Sequence, residues 1–171
     1  GKGIRSKSTV PKQYLHFGDI SILQKNIENF IYEPLIDFVQ VVINEKHEGF
    51  YKKAISKINS SKLLPKCFGG ETRSQSVKNG LQAIAHKSCS KILIQDAARP
   101  FTSNTIIRKC IKGLDKFDVV FPGIKIPDTL YIKKNKPSRN TIAELGPSRD
   151  TLIRAQTPQG FHFDYIYQRH L

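Results

Sequence analysis

The sequence has few cysteines and no long apolar run, and both shortages narrow the classes of protein that it can encode. Its three cysteines, Cys67, Cys89 and Cys110, lie far apart without a C-x-x-C pair, which suits a reducing compartment and predicts neither a zinc site nor a disulfide framework. We expect them to be buried small hydrophobic residues. The chain contains no continuous apolar run long enough for a membrane span, so we expect no membrane partner.

Acidic residues are also scarce, since 14 Asp and Glu stand against 28 Lys and Arg in 171 residues, which leaves a formal net charge of +14. This charge admits nucleic acid, acidic membranes or phosphorylated small molecules as partners and cannot choose among them. The sequence has no RNP-type aromatic motif and no helix with concentrated Lys and Arg, so a nucleic-acid-binding domain is only a remote alternative. The length and the 39% hydrophobic content predict one globular domain spanning residues 1–171.

Short apolar runs alternate with amphipathic segments along most of the chain. Phe38–Ile43 is a nearly unbroken β-branched run, too short for a helix, and predicts a central parallel strand covered on both faces. The other predicted elements are helices at Ser21–Phe30, at Tyr51–Ile58, after Ser76 with Val77, Leu81 and Ile84 on its apolar face, at Ser103–Leu114 and at Asp164–Leu171, and strands at Lys91–Gln95 and Asp118–Phe121. This alternation predicts an α/β fold with a mostly parallel sheet, whose ligand site lies at the carboxyl ends of the strands.

The pattern changes over about residues 125–149. Thr129–Ile132 and Thr141–Leu145 are β-prone and flank a polar turn, Lys133–Asn140, which predicts a β-hairpin arm that projects from the domain. An isolated hairpin is marginally stable in water, so the arm needs a partner to pack on. A homodimer formed through the arm is the economical expectation.

The first fourteen residues, GKGIRSKSTVPKQY, combine glycines with separated cations. Gly1 and Gly3 let backbone N–H groups approach an anion, while Arg5 and Lys12 supply a guanidinium fork and a compact ammonium for phosphate oxygens. The spacing is not that of a P-loop, and a disordered basic terminus is the alternative interpretation. Because the chain opens without methionine and inside this loop, we expect its natural N-terminus to lie upstream.

Two further loops, Gly69–Ser76 and Asp96–Pro100, follow predicted strands, and we expect them to join the first loop in one site. The Gly-Gly pair allows close backbone approach, and the Ser76 hydroxyl at a helix start can meet a sugar hydroxyl or a phosphate. A plain turn with a helix cap is the alternative. Asp96 at a strand end is typical of a carboxylate that holds a metal ion or a substrate hydroxyl, and a local pair with Arg99 is its alternative.

Polar residues also cluster after the arm. Arg149, Arg154 and Thr157 are candidates to grip a second phosphate, although each alone is equally consistent with a surface position. No Ser-His or Cys-His pair that could activate a catalytic nucleophile is evident in the sequence. A reaction in which a phosphate monoester is the nucleophile needs no such pair, because the monoester is already deprotonated at neutral pH.

Five ordered motifs together resemble one family. They are G-x-G-x-R with P-K-Q-Y at residues 1–14, G-G-x-x-R-x-x-S-V-x-x-G-L at 69–81, D-A-A-R-P-F at 96–101, D-T at 128–129 and A-Q-T-P-Q-x-F at 155–161. This series is similar to 2-C-methyl-D-erythritol 4-phosphate cytidylyltransferase of the non-mevalonate isoprenoid pathway. The resemblance spans essentially the whole chain and implies a Rossmann-like sheet with a dimerisation arm, in the cytoplasm of a bacterium or in a plastid.

The resemblance also implies a reaction and a set of site residues. The phosphate oxygen of methylerythritol phosphate would attack the α-phosphorus of CTP and expel pyrophosphate, with Mg²⁺ bound mainly by the triphosphate and no metal site of the protein's own. The implied residues are Gly1, Gly3, Gly70, Glu71, Ser76 and Lys12 for CTP, Arg5, Lys12 and Asp96 for catalysis, Asp96 and Ala97 between nucleotide and sugar phosphate, and Asp96, Thr129, Arg149 and Thr157 for methylerythritol phosphate. Thr129 and Arg149 would reach in from the other subunit's arm.

Departures from the family pattern leave alternatives open. Gln95 stands where the family often has His, and the family's first strand and a C-terminal substrate-binding lysine have no counterpart in residues 1–171, which we interpret as truncation. A cytidylyltransferase for another polyol phosphate, such as ribitol 5-phosphate, is the nearest rival, and Ala98 favours methylerythritol over it. A cyclodiphosphate synthase fused beyond Leu171 occurs in some members of the family, and residues 1–171 do not test for it.

Overall fold

The computed structural model describes residues 10–134 and 142–170. Helices alternate with short strands along this part of the chain. The helices are α1 (Ile22–Ile31), α2 (Glu48–Ile55), α3 (Arg73–Ile84), α4 (Asn104–Gly113) and α5 (Phe163–His170), with single 3₁₀ turns at Lys12–Tyr14, Glu45–His47 and Arg149–Thr151.

The strands are short and fall into several small ladders. They are β1 (His16–Phe17), β2 (Ile20–Ser21), β3 (Val42–Ile43), β4 (Cys67–Phe68), β5 (Lys91–Ile94), β6 (Val119–Val120), β7 (Gly123–Lys125), β8 (Tyr131–Lys134), β9 (Ile142–Leu145), β10 (Ile153–Ala155) and β11 (Gln159–His162). The pairs β1–β2, β7–β10 and β8–β9 are antiparallel, β3–β4 is parallel, and β11 lies antiparallel between β5 and β6.

The prediction of a mostly parallel sheet is wrong for the described ladders, in which β3–β4 is the only parallel strand pair. The correction comes chiefly from β11, which was not predicted as a strand. Its residue Gly160 pairs with Leu93 on one side and with Val120 on the other. A Cβ on Gly160 would lie 3.1 Å from Leu93 Cδ2 and 3.2 Å from Leu114 Cδ1, so the absence of a side chain lets the strand lie close to its neighbours.

The predicted run Phe38–Ile43 forms less regular strand than expected. Only Val42–Ile43 is assigned to β3, and Val39 adds one isolated parallel bridge to Leu63. Both faces are covered, as predicted. Val41 and Ile43 belong to a buried cluster with residues of α1 and α2, whereas Phe38 packs against a second cluster built on α3 and α5.

The helix positions predicted from apolar periodicity are confirmed to within a few residues. Ser21 caps α1 by accepting from Gln24 N at 3.0 Å, and Ser103 caps α4 by accepting from Ile106 N. The start of α3 differs from the prediction, because Thr72 rather than Ser76 is its cap. Thr72 Oγ1 accepts from Gln75 N at 3.1 Å and Gln75 Oε1 accepts from Thr72 N at 3.2 Å, which is a complete capping box.

A buried carboxylate ties α1 to α4. Glu33, just after α1, has a fully buried side chain, and Arg108 Nε donates to its Oε1 at 3.0 Å and its Oε2 at 3.1 Å. The Arg108 side chain is half exposed. This ion pair fixes the carboxyl end of α1, the helix whose Asn26 and Asn29 side chains contact the loop after β5.

The predicted hairpin is present as β8–β9, which pair from Tyr131 with Leu145 to Lys134 with Ile142. The first strand begins and ends later than predicted, since Thr129 lies before β8 and Lys133 lies within it, whereas β9 ends at Leu145 as predicted. Residues 135–141, most of the predicted turn, lie outside the described residues. Tyr131, Ile132 and Leu145 are more than half exposed, so the two-stranded arm leaves apolar surface uncovered in the single chain.

The structure bears on two predictions, the burial of the three cysteines and the lack of a membrane-spanning segment. All three cysteines are free thiols, and only Cys110 is fully buried, whereas Cys67 and Cys89 are half-buried. Burial raises the thiol pKa of each above its usual value. Within residues 10–134 and 142–170, no helix has both the length and the apolar character that crossing a membrane requires.

Candidate active site

A cavity of about 500 Å³ separates the parallel pair β3–β4 from the sheet containing β5. In the described part of the chain, β3 and β5 each pair along one edge only, and residues of both strands line the cavity. Asp96 and Ala97 reach it from the loop after β5, and Arg73 and Ser76 reach it from the first turns of α3. The structure therefore brings two of the predicted loops, 69–76 and 96–100, to one place.

Asp96 is held by two arginines, one on each carboxylate oxygen. Arg73 Nη2 lies 3.4 Å from Oδ1, and Arg99 Nε lies 3.2 Å from Oδ2. The pair with Arg99 is the local partnership anticipated from the sequence, whereas Arg73 was not singled out. Side-chain exposure is 37% for Asp96, 45% for Arg99 and 58% for Arg73, so this cluster is exposed to solvent, and Arg73 and Asp96 also line the cavity.

The segment around Thr157 completes the cluster from a distant part of the chain. Asp96 N donates to the buried Thr157 Oγ1 at 3.4 Å. Arg73 Nη2 donates to Gln159 Oε1 at 3.2 Å, and Arg99 Nη1 donates to Gln156 Oε1. Asp96 and Thr157, both candidates for methylerythritol phosphate, are thus in contact, and the two flanking glutamines belong to the same network.

Amide side chains fix the backbone of the 96–102 loop. Asn26 Nδ2 donates to Asp96 O at 3.0 Å, and Asn29 Nδ2 donates to Pro100 O at 2.6 Å, so α1 supports the loop from below. Gln95 Nε2 donates to Arg99 O at 2.8 Å and to Thr102 Oγ1 at 3.0 Å. The departure at Gln95 therefore serves loop geometry. The sequence analysis did not identify Asn26 and Asn29 as site residues. The signal that could have identified them is their polar side chains within the apolar pattern of α1.

The turn at Gly69-Gly70 packs against the first turns of α3. Gly70 N donates to Ser76 Oγ at 3.2 Å, and the Ser76 hydroxyl donates to Thr72 O at 2.9 Å. A Cβ on Gly70 would lie 2.5 Å from Gln75 Cβ, which explains why the position needs glycine. Glu71 is exposed at the tip, and its N–H donates to Gln75 Oε1 at 3.0 Å. The turn is present, and the close approach of its backbone is to the protein's own helix, so the predicted approach to a ligand stays a prediction.

Lys12 lies exposed on the 3₁₀ turn Lys12–Tyr14, and Tyr14 anchors that turn. The Tyr14 side chain is 5% exposed, stacks on Phe50 with ring centroids 5.4 Å apart and meets His47 edge-on at 5.8 Å. Burial, assisted by nearby Tyr51, raises the pKa of Tyr14 to about 12. Burial also lowers the pKa of His47. Gly1, Gly3 and Arg5 lie outside the described residues, so their predicted roles remain predictions.

The remaining predicted residues lie at the base of the arm. Thr129 is exposed just before β8, and Arg149 is exposed in the 3₁₀ turn after β9, where its Nη1 donates to Pro127 O. Arg154 is exposed on β10, paired with Ile124. The described contact of Arg149 is with the base of its own arm, so the chain does not gather these three residues around Asp96 as it does Thr157.

The side chains around Asp96 suit an ion held by a ligand rather than by a protein cage. Within the described residues, no group of three or more His, Cys, Asp or Glu side chains could hold a metal ion. Mg²⁺ characteristically keeps waters and binds through one or two carboxylates together with substrate phosphates. Asp37 and Asp96 are the carboxylates among the residues that line the cavity, and the Asp96 oxygens are already paired with Arg73 and Arg99.

Comparisons with known proteins agree on one family. The family model described as IspD, 2-C-methyl-D-erythritol 4-phosphate cytidylyltransferase, matches residues 1–171. A bifunctional enzyme IspD/IspF of Wolbachia pipientis wMel is 38% identical over 172 residues, which cover 99% of this chain and 42% of the relative. A 2-C-methyl-D-erythritol 4-phosphate cytidylyltransferase of Clostridium botulinum is 36% identical over 171 residues, covering 99% of this chain and 73% of the relative.

A solved crystal structure has the same fold as this chain. The crystal structure of 4-diphosphocytidyl-2C-methyl-D-erythritol synthase from Anaerococcus prevotii superposes with a TM-score of 0.78 at 26% identity, over 93% of this chain and 67% of that one. The α/β class is therefore confirmed. The chain spans about two fifths of the length of the bifunctional relatives that it matches.

Proposed function

The chain belongs to the IspD family of 2-C-methyl-D-erythritol 4-phosphate cytidylyltransferases, and on that premise we propose that the intact protein transfers the cytidylyl group of CTP to 2-C-methyl-D-erythritol 4-phosphate. One structural observation carries the proposal. Asp96, the Gly70–Ser76 turn and the Thr157 segment, three sequence motifs that are far apart in the chain, converge beside one cavity.

The reaction needs charge control more than proton transfer. A phosphate oxygen of methylerythritol phosphate forms a bond to the α-phosphorus of CTP, the bond from that phosphorus to the bridging oxygen breaks, and pyrophosphate leaves with the electron pair. Two anions must be brought together, and charge on the leaving group must be stabilised. Arg5 and Lys12 are the proposed cations, and anchoring by Tyr14 keeps the Lys12 turn in place.

The proposed binding roles follow the family motifs. Gly1, Gly3, Gly70, Glu71, Ser76 and Lys12 bind CTP, Asp96 and Ala97 lie between the two substrates, and Thr157 contacts methylerythritol phosphate. Ser76 lines the cavity from α3, and Gly70 N donates to its hydroxyl, which supports the nucleotide assignment. When bound through the triphosphate, Mg²⁺ would neutralise phosphate charge, and Asp96 is the side chain that we propose would contact it. The net charge of +14 favours capture of polyanionic CTP.

For the complete protein we propose a Rossmann-like sheet. Its support is the parallel β3–β4 pair and the common direction of β5 and β6, which both run antiparallel to β11. We also propose a reducing compartment, the cytoplasm or a plastid, since the three cysteines are free thiols.

We propose that the arm forms a homodimer and completes the site of the partner subunit. Tyr131 is 62% exposed, Ile132 is 51% exposed and Leu145 is 70% exposed, and a two-stranded arm cannot bury these side chains by itself. A second copy would cover them. Thr129 and Arg149, exposed at the arm base, would then contact methylerythritol phosphate across the interface.

Subunit complementation tests this arrangement. We expect Arg149→Ala and Asp96→Ala each to abolish most activity alone, and a mixture allowed to exchange subunits to regain part of it, because one mixed dimer contains one site with both residues intact. Sedimentation of each variant checks that it is dimeric. A monomeric wild-type protein, or mixtures no more active than the separate variants, would overturn the proposed arm role.

The activity itself is tested by pyrophosphate release. The intact protein is assayed with CTP, ATP and UTP, each with methylerythritol phosphate, ribitol 5-phosphate or no acceptor. We expect release from CTP only when methylerythritol phosphate is present. Release with ribitol 5-phosphate alone would support the rival polyol, and no turnover with any pair would reject a cytidylyltransferase.

A further inference from the structure

Asp96 is held by a hydrogen-bond network whose outer members, Arg73 and Gln159, have no part in the proposed reaction. Arg73 contacts Oδ1 of Asp96 and Gln159 with the same nitrogen, Nη2, at 3.4 and 3.2 Å. We propose that Arg73 and Gln159 are positioning residues that act as one unit to fix the direction of the Asp96 carboxylate in the site. This proposal rests on the proposed function, since it assigns a task within the same site.

Both members of the unit stand on regular secondary structure. Arg73 is the first residue of α3, whose start is fixed by the capping box at Thr72. Gln159 is the first residue of β11 and pairs in register with Ile94, the last residue of β5 and two residues before Asp96. The Gln159 side chain is therefore an acceptor tied to the strand that precedes Asp96. A side chain held from a helix and a strand keeps its direction better than one on a free loop.

The network also joins the two halves of the proposed site. Arg73 follows the Gly69–Thr72 turn assigned to the nucleotide, and Asp96 lies in the loop assigned to both substrates. A guanidinium that spans them fixes the distance between the two substrate positions. Arg99 and Gln156 repeat the arrangement on Oδ2, so the carboxylate is restrained from both sides and its rotation about χ2 is limited.

Stability does not account for this cluster. Arg73 is 58% exposed and Asp96 37% exposed, and exposed ion pairs contribute little to the free energy of unfolding. Loss of the clamp should therefore leave the fold intact and alter the direction of the carboxylate. That separation lets a functional effect be told apart from a structural one.

A double-mutant cycle tests the unit in the intact protein. We expect Arg73→Ala and Gln159→Ala each to lower kcat about 10- to 100-fold, as misplacement of a reacting group does, with the KM for CTP unchanged. The double variant should lose no more than either single variant, because both changes break one unit. Arg169→Ala is the matched control, since that exposed arginine contacts Tyr165 within α5, and it should match the wild type.

Additive losses in the cycle would overturn the proposal, because Arg73 and Gln159 would then act independently. A raised KM for CTP at unchanged kcat would also overturn it, because Arg73 would then bind substrate directly. Hydrogen exchange without substrates provides a readout independent of turnover. Exchange in residues 96–101 should be faster in Arg73→Ala and in Gln159→Ala than in Arg169→Ala or the wild type. Unchanged exchange would reject the positioning role. An inactive wild type would reject the proposed function, and exchange would still decide the role of the clamp.

Discussion

Tyr14 gives a sharp test of how the Lys12 turn is held. Its side chain is 5% exposed and its pKa is raised from 10.0 to about 12, chiefly by desolvation and then by Tyr51. A group whose pKa is higher in the folded than in the unfolded protein contributes stability that is present below the unfolded value and is lost as pH rises towards the folded one. The loss falls between pH 10 and pH 12.

The magnitude follows from the shift. One pKa unit corresponds to about 1.4 kcal/mol, so ionisation of Tyr14 should remove about 1.4 kcal/mol from the free energy of unfolding by pH 11. Urea denaturation at pH 9 and pH 11 measures this loss. Tyr14→Phe, which cannot ionise, should lose less stability over the interval by that amount, whereas Tyr32→Phe should behave as the wild type because Tyr32 is 74% exposed.

The difference between Tyr14→Phe and the wild type cancels the titration of lysines and of Tyr51, whose pKa burial also raises. An equal pH dependence in the two proteins would show that Tyr14 is accessible to solvent and does not anchor the turn. Tyr14→Ala, which also removes the stack on Phe50, should cost about 3 to 5 kcal/mol at pH 7.

The remaining predictions concern stability elsewhere in the fold. Arg108→Ala leaves the buried Glu33 carboxylate without its ion-pair partner and should cost about 2 kcal/mol in urea denaturation; adding Glu33→Gln should restore part of the loss, and a further loss in the double variant would contradict this. Thr72→Ala removes half of the capping box at α3 and should lower the free energy of unfolding by about 1 kcal/mol, with faster hydrogen exchange in residues 70–76. Ser61→Ala, in an exposed turn, is the control. Equal stability of the two variants would argue against the cap.

Local sequence signals were enough to predict the helices. Ser21 and Ser103 precede apolar residues at helical spacing, and each caps a helix that lies where that spacing predicts one. Local chemistry misjudged α3, because Ser76 resembles a cap as well as Thr72 does, and only the reciprocal bond with Gln75 distinguishes them.

The sheet depended on contacts between distant residues. Gln159–His162 contains a glycine and has weak strand propensity, yet it forms β11 because β5 and β6 offer it partners on both sides. The run Phe38–Val41 has strong β-propensity and nevertheless forms only an isolated bridge at Val39. Strand pairing is decided by tertiary context, which one segment's composition does not contain.

The site was predictable in its parts more than in its connections. Asp96 and Thr157 were both candidates from their motifs, and their contact spans 61 positions. Gln159 stands in the same motif as Thr157, and Arg73 stands in the motif at residues 69–81, but nothing local indicates that one guanidinium reaches both Asp96 and Gln159. The anchoring role of Tyr14 likewise depends on Phe50 and His47 of a different segment.

Following the α-phosphorus tests the central claim most directly. The intact protein is incubated with CTP labelled at the α-phosphorus and with methylerythritol phosphate, and the labelled products are separated and weighed by mass spectrometry. The account predicts label in a diphosphocytidyl methylerythritol together with an equal amount of pyrophosphate. Label that stays in CTP, or that appears as CMP without joining the polyol, would contradict it.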